Sequence, residues 1–392
     1  DAGNSGTATT QAYTLDTTAP TQTFSSVDIS ADTGTADDDF NTKTAAQTLT
    51  ATLSAAIASD DILQTSIDAG SNWVNDDHNT AAGTALSTTI TLSGSSSIHI
   101  RITDDAGNSG TATTQAYTLD TTAPTQTFSS VDISADTGTA DDDFNTKTAA
   151  QTLTATLSAA IASDDILQVS IDAGSNWVDD DHATSDSTSL STAITLAGSS
   201  AIHIRITDDA GNSGTADTTS YTLDTTAPTI TFSTVDISAD TGSSATDFIT
   251  KTAAQTLTGT LSAAMASDDI LKVSVDAGSN WAVVTTDVTG DPDTALSTAI
   301  TLAGTSSIHL QITDDAGNAG TADTTSYTLD TTAPTLSTIA IASNNAVTTQ
   351  AKSGDVVTLT MTPSETLQGN PACTIDGEAG TASASGSDHL CT

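Results

Sequence analysis

Residues 95–103 read Ser-Ser-Ser-Ile-His-Ile-Arg-Ile-Thr, so Ile98, Ile100 and Ile102 alternate with polar residues. Period-two alternation places apolar side chains on one face of a strand and polar ones on the other. The same pattern predicts strands over 24–29, at Leu49, Ala51 and Leu53 among threonines, over 62–67, at Leu86, Ile90 and Leu92, and at Tyr117 and Leu119. In the lettering of an immunoglobulin sandwich these are A, B, C, a strand in the D/E region, F and G. Gly, Asp and Ser turns separate them, and the many threonines suit solvent-facing strand positions. The nearest approach to a helical pattern, residues 53–61, is too short to be one. Six or seven short strands in about 100 residues predict an immunoglobulin-like β-sandwich, here without the Cys…Trp…Cys pattern of antibody domains.

The pattern recurs. Leu-Asp-Thr-Thr-Ala-Pro-Thr begins at Leu15, Leu119, Leu223 and Leu329, Asp-Ala-Gly-Asn at Asp1, Asp105, Asp209 and Asp315, and Asp-Ile-Ser-Ala-Asp-Thr-Gly at Asp28, Asp132 and Asp236. This register divides the chain into a C-terminal strand of a preceding repeat (1–19), three whole repeats (20–123, 124–227, 228–333) and an incomplete, divergent Ig-like unit (334–392). The period exceeds that of a solenoid and matches separately folded domains. The expected fold is all-β, with tandem Ig-like β-sandwich domains in a linear array. The first residues already read as the middle of a repeat, which points to a piece of a longer chain, so targeting signals carry no information.

Charge narrows the function. Seven Lys and Arg stand against 49 Asp and Glu, a formal net charge of −42. No basic surface exists to neutralise phosphates, which excludes nucleic acid and disfavours an anionic membrane surface. No stretch approaches the ~18 apolar residues of a membrane-inserted span. Only Glu365 and Glu378 are glutamates; the other 47 acids are aspartates. A halophilic surface explains negative charge but not that bias. Asp is the acid of turns and of compact oxygen cages around Ca²⁺. Aromatics at 3% raise the possibility of disorder, but the 36% of hydrophobic residues alternate in an ordered way.

In an Ig-like sandwich the B–C, D–E and F–G loops gather where the chain enters, and the A–B, C–D and E–F loops where it leaves. The F–G acids Asp104, Asp105 and Asn108 are therefore expected beside the linker residue Asp16. Asp208, Asp209 and Asn212 are expected near Asp120, and Asp314, Asp315 and Asn318 near Asp224, with Asp330 in the next linker. The B–C loops bring Asp164 and Asp165, and Asp268 and Asp269, to the same ends. Facing them are the A–B loops of the preceding repeats, with Asp32, Asp136 and Asp240, and Asp37 to Asp39 in the first. Carboxylates within about 4–6 Å raise each other's pKa, and a divalent cation removes the repulsion. Ca²⁺ accepts six to eight oxygens in flexible geometry, Mg²⁺ is more demanding, and His and Cys are too scarce for Zn²⁺. The plainer alternative is that the acids cap turns and keep the surface soluble. Repeat three reads Asp-Thr-Gly-Ser-Ser-Ala-Thr-Asp-Phe at 240–248, so Asp37, Asp38, Asp141 and Asp142 have no counterpart and are not required ligands. A peripheral metal site with His78 or His182 is outweighed by a variable loop, and His99, His203 and His309 are expected on a solvated strand face.

Ile-Ser-Ala-Asp-Thr-Gly, the Asp-Ala-Gly-Ser-Asn-Trp turn, Thr-Asp-Asp-Ala-Gly-Asn and Leu-Asp-Thr-Thr-Ala-Pro-Thr, in this order over residues 1–333, resemble the bacterial Ig-like extender repeats of giant secreted adhesins, RTX-type and biofilm-associated. The resemblance implies a Ca²⁺-rigidified stalk on the bacterial cell surface, with neighbouring repeats as its partners and a ligand-binding region elsewhere in the protein. It implies junction calcium sites, with a linker role for Asp16, Asp120, Asp224 and Asp330 and an F–G role for Asp105, Asp209 and Asp315. Two other classes compete. The modules themselves could bind a carbohydrate or a protein. An enzyme is disfavoured, because every acid cluster recurs in turns without a companion nucleophile or His. Cys373 and Cys391, the only cysteines, allow either a disulfide or two free thiols.

Overall fold

The computed structural model describes residues 2–76, 83–180, 187–284, 294–367 and 369–392. The chain divides into two compact units, Asp1–Thr225 and Thr226–Thr392. The first unit holds two sandwiches; the second holds a third sandwich and, among the described residues, two smaller sheets.

Repeat one is built from β1 (Phe24–Ile29), β2 (Asn41–Thr42), β3 (Ala46–Leu53), β4 (Ile62–Ser66), β5 (Val74–Asn75), β6 (Ala85–Thr91), β7 (Ser95–Thr103) and β8 (Thr113–Leu119). These are strands A, A′, B, C, C′, E, F and G. One sheet has the order β1-β3-β6 and the other β2-β8-β7-β4-β5. The same eight strands recur from Phe128–Ile133 to Asp217–Leu223 and from Phe232–Ile237 to Asp323–Leu329. All-β tandem Ig-like sandwiches are thus what the alternation encodes. Two short strands escaped it, β2 and β5, because two residues are too few to show a period. β2 pairs in parallel with β8, so what reads as one long A–B loop crosses from the first sheet to the second before β3 begins.

The inward residues are those the period selects. Leu49, Ala51 and Leu53 face Ile98, Ile100, Ile102 and Tyr117, all buried in one core. Tyr117 closes the sandwich with its polar end. Its hydroxyl donates to the Ile67 carbonyl at 2.9 Å, with the Ser93 carbonyl at 3.2 Å, tying β8 to the C–C′ and E–F turns. Tyr221 and Tyr327 repeat the arrangement. Tyr117→Phe should cost about 1–3 kcal/mol of unfolding free energy by denaturant titration, because it strands buried carbonyls while keeping the ring.

Residues 2–23 form no strand. Tyr13 and Leu15 share their local sequence with Tyr117 and Leu119, yet they are 88% and 79% exposed, whereas Tyr117 is 3% exposed. Tertiary partners, not local propensity, make this strand. The last unit has a four-stranded sheet, in which Leu336–Ser343, Val357–Pro363, Asp388–Cys391 and Ala382–Ser385 lie side by side, and a two-stranded one of Thr374–Ile375 and Glu378–Ala379. Ile339 and Ile341 stay exposed on the four-stranded sheet, while Met361 and Cys391 are buried. Cys373 and Cys391 are joined in a disulfide, which decides between the two states their sequence allows.

The Asp-Ala-Gly-Ser-Asn-Trp turn after β4 is self-contained. Asp68 accepts from the Ser66 hydroxyl at 2.7 Å and the Asn72 N–H at 2.8 Å, and also from the Asn72 amide. The Asn72 backbone N–H, then its side chain, hold the Asp68 carboxyl at about 2. Asp172 and Asp276 are also held at about 2, first by the side chains of Asn176 and Asn280. A depressed folded pKa contributes stability that is complete above the ordinary carboxylate value and is lost as pH falls toward about 2. Asp68→Asn should therefore lower stability at neutral pH and flatten its fall between pH ~4 and ~2, read by denaturant titration across that range.

Candidate functional site

The A–B loop turns on a strained residue. Phe40 sits at φ 61° in the left-handed region, as do Phe144 at 58° and Phe248 at 57°. A bulky residue there costs on the order of 1–3 kcal/mol and persists only where its surroundings hold it. Here the ring is buried in the core, and the Phe40 N–H donates to Asp32 Oδ2 at 3.0 Å. Phe144 and Phe248 donate likewise to Asp136 at 3.0 Å and Asp240 at 2.9 Å. The other carboxylate oxygen is left over. Oδ1 of Asp32, of Asp136 and of Asp240 is buried without a hydrogen-bond partner, at the same position in all three repeats. Burial raises the Asp32 carboxyl above its ordinary value against the pull of the Phe40 N–H, and the charges of Asp39 and Asp28 raise it further. Asp136 is raised the same way, by burial and then by Asp143 and Asp132. In repeat three the Asp247 carboxyl is lowered, first by the Ile249 N–H, from which it accepts at 3.0 Å.

These three aspartates were expected to face the next repeat. Instead each is tied into its own loop, because the left-handed Phe directs its N–H back at the carboxylate. Among the described residues no three His, Cys, Asp or Glu side chains are gathered closely enough to hold an ion as they stand. The donor chemistry nevertheless fits a hard cation. In repeats one and two the carboxylates are pushed toward neutrality by burial and by like charge, and in all three repeats one buried oxygen lacks a proton donor.

At the entering end of repeat two, the F–G loop meets both the linker and repeat one. Asn212 Nδ2 donates to Asp208 Oδ2 and to the Asp120 carbonyl, both at 2.9 Å. In repeat one Asn108 Nδ2 reaches Asp104 Oδ2 at 2.8 Å and the Asp16 carbonyl at 3.1 Å. The loop is pressed against the linker, since a Cβ on Gly110 would stand 2.6 Å from the Pro20 oxygen and one on Gly214 2.7 Å from that of Pro124. Asp165 of the B–C loop joins this end. Burial raises its carboxyl, and Asp208, Asp164 and Asp209 raise it further by like charge. The structure thus brings Asp164, Asp165, Asp208, Asp209 and the Asp120 main chain together. The linker carboxylates behave differently. Asp16, Asp120 and Asp330 each accept from the Thr N–H two residues on at 2.8 Å, so their side chains serve the Asp-Thr-Thr turn, while the Asp16 and Asp120 carbonyls accept from the F–G asparagines. Asp224 donates its N–H to the Thr146 carbonyl at 3.0 Å.

The remaining residues are bound locally. Asn318 bonds Asp314 at 2.7 and 2.9 Å, and the Asp104 carboxyl is lowered first by the Asn108 side chain. Asp164 and Asp268 each accept from the preceding serine at 3.0 Å, and Asp269 from the Ala266 N–H at 3.0 Å. Asp105 is exposed, and Asp315 has partners of its own. His78 and His182 lie outside the described residues.

Four residues that the acid pattern did not single out touch the second repeat's F–G tip from repeat one. The Thr33 hydroxyl donates to the Ala210 carbonyl and the Thr35 hydroxyl to Asp209 Oδ1, each at 2.7 Å. Asn41 Nδ2 donates to Asp209 Oδ2 at 2.7 Å, and Lys43 Nζ to the Gly211 carbonyl at 2.5 Å. Their signal was the recurrence of Thr-Gly-Thr and Asn-Thr-Lys at 33–35 and 41–43 and again at 137–139 and 145–147.

On the outer face of the larger sheet, Trp73 meets His99 edge-on, and the Arg101 guanidinium lies 3.7 Å above its ring. Trp177, His203 and Arg205 repeat this at 3.8 Å. The histidines are on the outer strand face, as their alternation requires, but an indole partly covers them. Repeat three has Gln311 in place of the arginine, and its amide goes to the Gly320 carbonyl at 2.8 Å. Trp281 is 36% exposed.

No protein-family model matches the chain, and no curated protein matches it. Solved structures that it is similar to include a tetra-tandem repeat from the extending region of a large adhesion protein, at 20% identity over 83% of this chain and 79% of that one, with a TM-score of 0.21. Another is a Ca²⁺-stabilized adhesin with which an Antarctic bacterium binds ice, at 18% identity over 96% and 91%, with a TM-score of 0.32. A third is the D1–D4 ectodomain fragment of ICAM-5, at 9% identity over 94% and 97%, with a TM-score of 0.28. These superpositions are loose, and the functional reading rests on the chain's own residues.

Proposed function

We propose that this chain is a Ca²⁺-rigidified extender segment of a large bacterial cell-surface adhesin, projecting a ligand-binding region from the cell for adhesion or biofilm formation. One observation carries the cation. A buried carboxylate oxygen is left without a partner at the same A–B loop position in three successive repeats. Asp32 with Asp39 and Asp28, and their counterparts Asp136 with Asp143 and Asp132, and Asp240 with Asp247 and Asp236, would hold it there. Asp164, Asp165 and Asp208, with the Asp120 carbonyl, would form the second place, at the junction of repeats one and two. Bound Ca²⁺ supplies two positive charges where burial and like charge disfavour the carboxylates. The protein's own part is to hold the left-handed Phe, the Asn bridges and the linker in one arrangement.

The stalk reading follows from repetition and charge. Residues 20–123 carry thirteen Asp against Lys43 and Arg101, so consecutive repeats repel one another unless cations offset them. The disulfide Cys373–Cys391 supports an oxidising, extracellular setting. Small-angle scattering in Ca²⁺ and then in excess EGTA tests the proposal. It should show a loss of stiffness on chelation, and an unchanged profile would contradict the reading.

A second reading, ligand binding by a module itself, is favoured by one observation. Repeat three leaves the face of Trp281 without the guanidinium that covers Trp73 and Trp177. A neutral polysaccharide stacked there should shift the indole fluorescence of the chain, and Trp281→Ala should abolish that shift. Equal shifts in both proteins would remove this reading.

A further inference from the structure

We infer that Asn41 selects which unit can follow a repeat, by reading the Asp-Ala-Gly tip of the next F–G loop directly rather than through a cation. The inference rests on taking the repeats as links of an array, but not on Ca²⁺. Within the first unit repeat one grips the tip at its three carbonyls and at both carboxylate oxygens of Asp209. Asp209 gives one carboxylate oxygen to the Thr35 hydroxyl and the other to the Asn41 amide, both at 2.7 Å. Its carbonyl accepts the Thr35 N–H at 3.2 Å, the Ala210 carbonyl takes the Thr33 hydroxyl, and the Gly211 carbonyl takes the Lys43 ammonium. Ala210 is 4% exposed in this grip, while Ala106, in the same sequence of repeat one, is exposed.

The donors are placed by the fold. Thr33 and Thr35 lie on the A–B loop, and Asn41 opens β2, whose parallel pairing with β8 fixes its direction. Asn41 holds its position through its own N–H, which donates to Asp39 Oδ1 at 2.8 Å, leaving the side-chain amide for the neighbour. Among the four donors, Asn41 is the one whose replacement changes the chemistry of the surface. Repeat three keeps Thr241 and Lys251 and has Ser243 for Thr35, but it has Ile249 in place of Asn41, 44% exposed. An isoleucine donates nothing, and it would leave a carboxylate oxygen facing hydrocarbon, which rejects an Asp-Ala-Gly tip. No Asp-Ala-Gly occurs in residues 334–392, which follow it. The residue at this position and the loop it meets thus form a pairing code: Asn41 meets Asp209, and Ile249 is suited to a different, less polar neighbour.

The test is double electron–electron resonance on the full chain with labels at Thr52→Cys and Thr156→Cys, both exposed strand positions in repeats one and two. The expected result is a Thr52–Thr156 distance peak that EGTA broadens but does not abolish, and that is lost when Asn41→Ile is added. A second pair, Thr52→Cys with Thr91→Cys inside repeat one, should keep its peak in that variant and so show that the sandwich is folded. A narrow Thr52–Thr156 peak that survives Asn41→Ile would overturn the inference. So would a peak that EGTA alone abolishes in the unsubstituted chain, because that assigns the orientation to the cation and leaves the extender reading standing. If instead Ca²⁺ has no effect on any distance while Asn41→Ile broadens the peak, the pairing code stands and the calcium reading fails.

Discussion

A chain carrying Asp32→Asn, Asp136→Asn and Asp240→Asn together should melt higher than the unsubstituted protein in EGTA and should gain less from Ca²⁺. Each Asn keeps an acceptor for the Phe N–H two-thirds of the way round the loop, at Phe40, Phe144 and Phe248. What it removes is a carboxylate with an unpartnered buried oxygen. The sign follows from the raised carboxyls of Asp32 and Asp136. A raised folded pKa means that the folded chain binds more protons than the unfolded one between the ordinary carboxylate value, about 3.9, and the raised one. The stability these groups contribute is therefore fully present below the ordinary value and is lost as pH rises through the raised one. Cation-free protein should lose this contribution on going from mildly acidic to neutral pH, and the substituted chain should not. The calcium increment is a mass-action effect of about 2.7 kcal/mol per site at a hundred times Kd. In a domain of this size each kcal/mol moves the midpoint by roughly 4–8 °C. Calorimetric melts with and without EGTA read both effects, and a Ca²⁺ increment undiminished in the substituted chain would place the ion elsewhere.

Gly211→Ala should separate repeats one and two while leaving each sandwich folded. Gly211 has φ 88°, where an alanine is strained by about 1 kcal/mol. The larger effect is steric. A Cβ on Gly211 would overlap the Thr33 carbonyl oxygen and its carbon, which are backbone atoms of repeat one and cannot swing aside. The tip must withdraw, and with it go the bonds from Thr33, Thr35, Asn41 and Lys43. Hydrogen exchange gives the readout. The Thr35 amide, which donates to the Asp209 carbonyl at 3.2 Å, should lose its protection, while core amides of β7 and its counterpart Ser199–Thr207 keep theirs. Unchanged protection at Thr35 would mean that the junction tolerates a side chain there.

The strands were legible because Ile98, Ile100 and Ile102 are spaced for one face, and the same argument found every strand of the first whole repeat long enough to show a period. It failed at Asn41–Thr42 and Val74–Asn75, which exist only because neighbouring strands offer an edge. It failed again at Tyr13 and Leu15, where a strand sequence finds no sheet. The convergence of Asp165, Asp208 and Asp209 followed from strand order alone, since loops at one end of a sandwich must meet. The direction of a side chain did not follow. Asp32 turns into its own loop because Phe40 is left-handed, and backbone handedness at a bulky residue leaves no trace in composition. Attention to acids also hid the neutral half of the junction, Thr33, Thr35 and Asn41, which looked like ordinary strand threonines and a turn asparagine.

The central claim is that Ca²⁺ satisfies the carboxylate oxygen left over in each A–B loop. Isothermal titration of the EGTA-stripped chain with calcium chloride, beside the Asp32→Asn, Asp136→Asn, Asp240→Asn chain, tests it most directly. The account predicts that the substituted chain binds three fewer ions, one for each orphaned oxygen. Equal stoichiometry and affinity in the two chains, or no calcium binding by either, would contradict it.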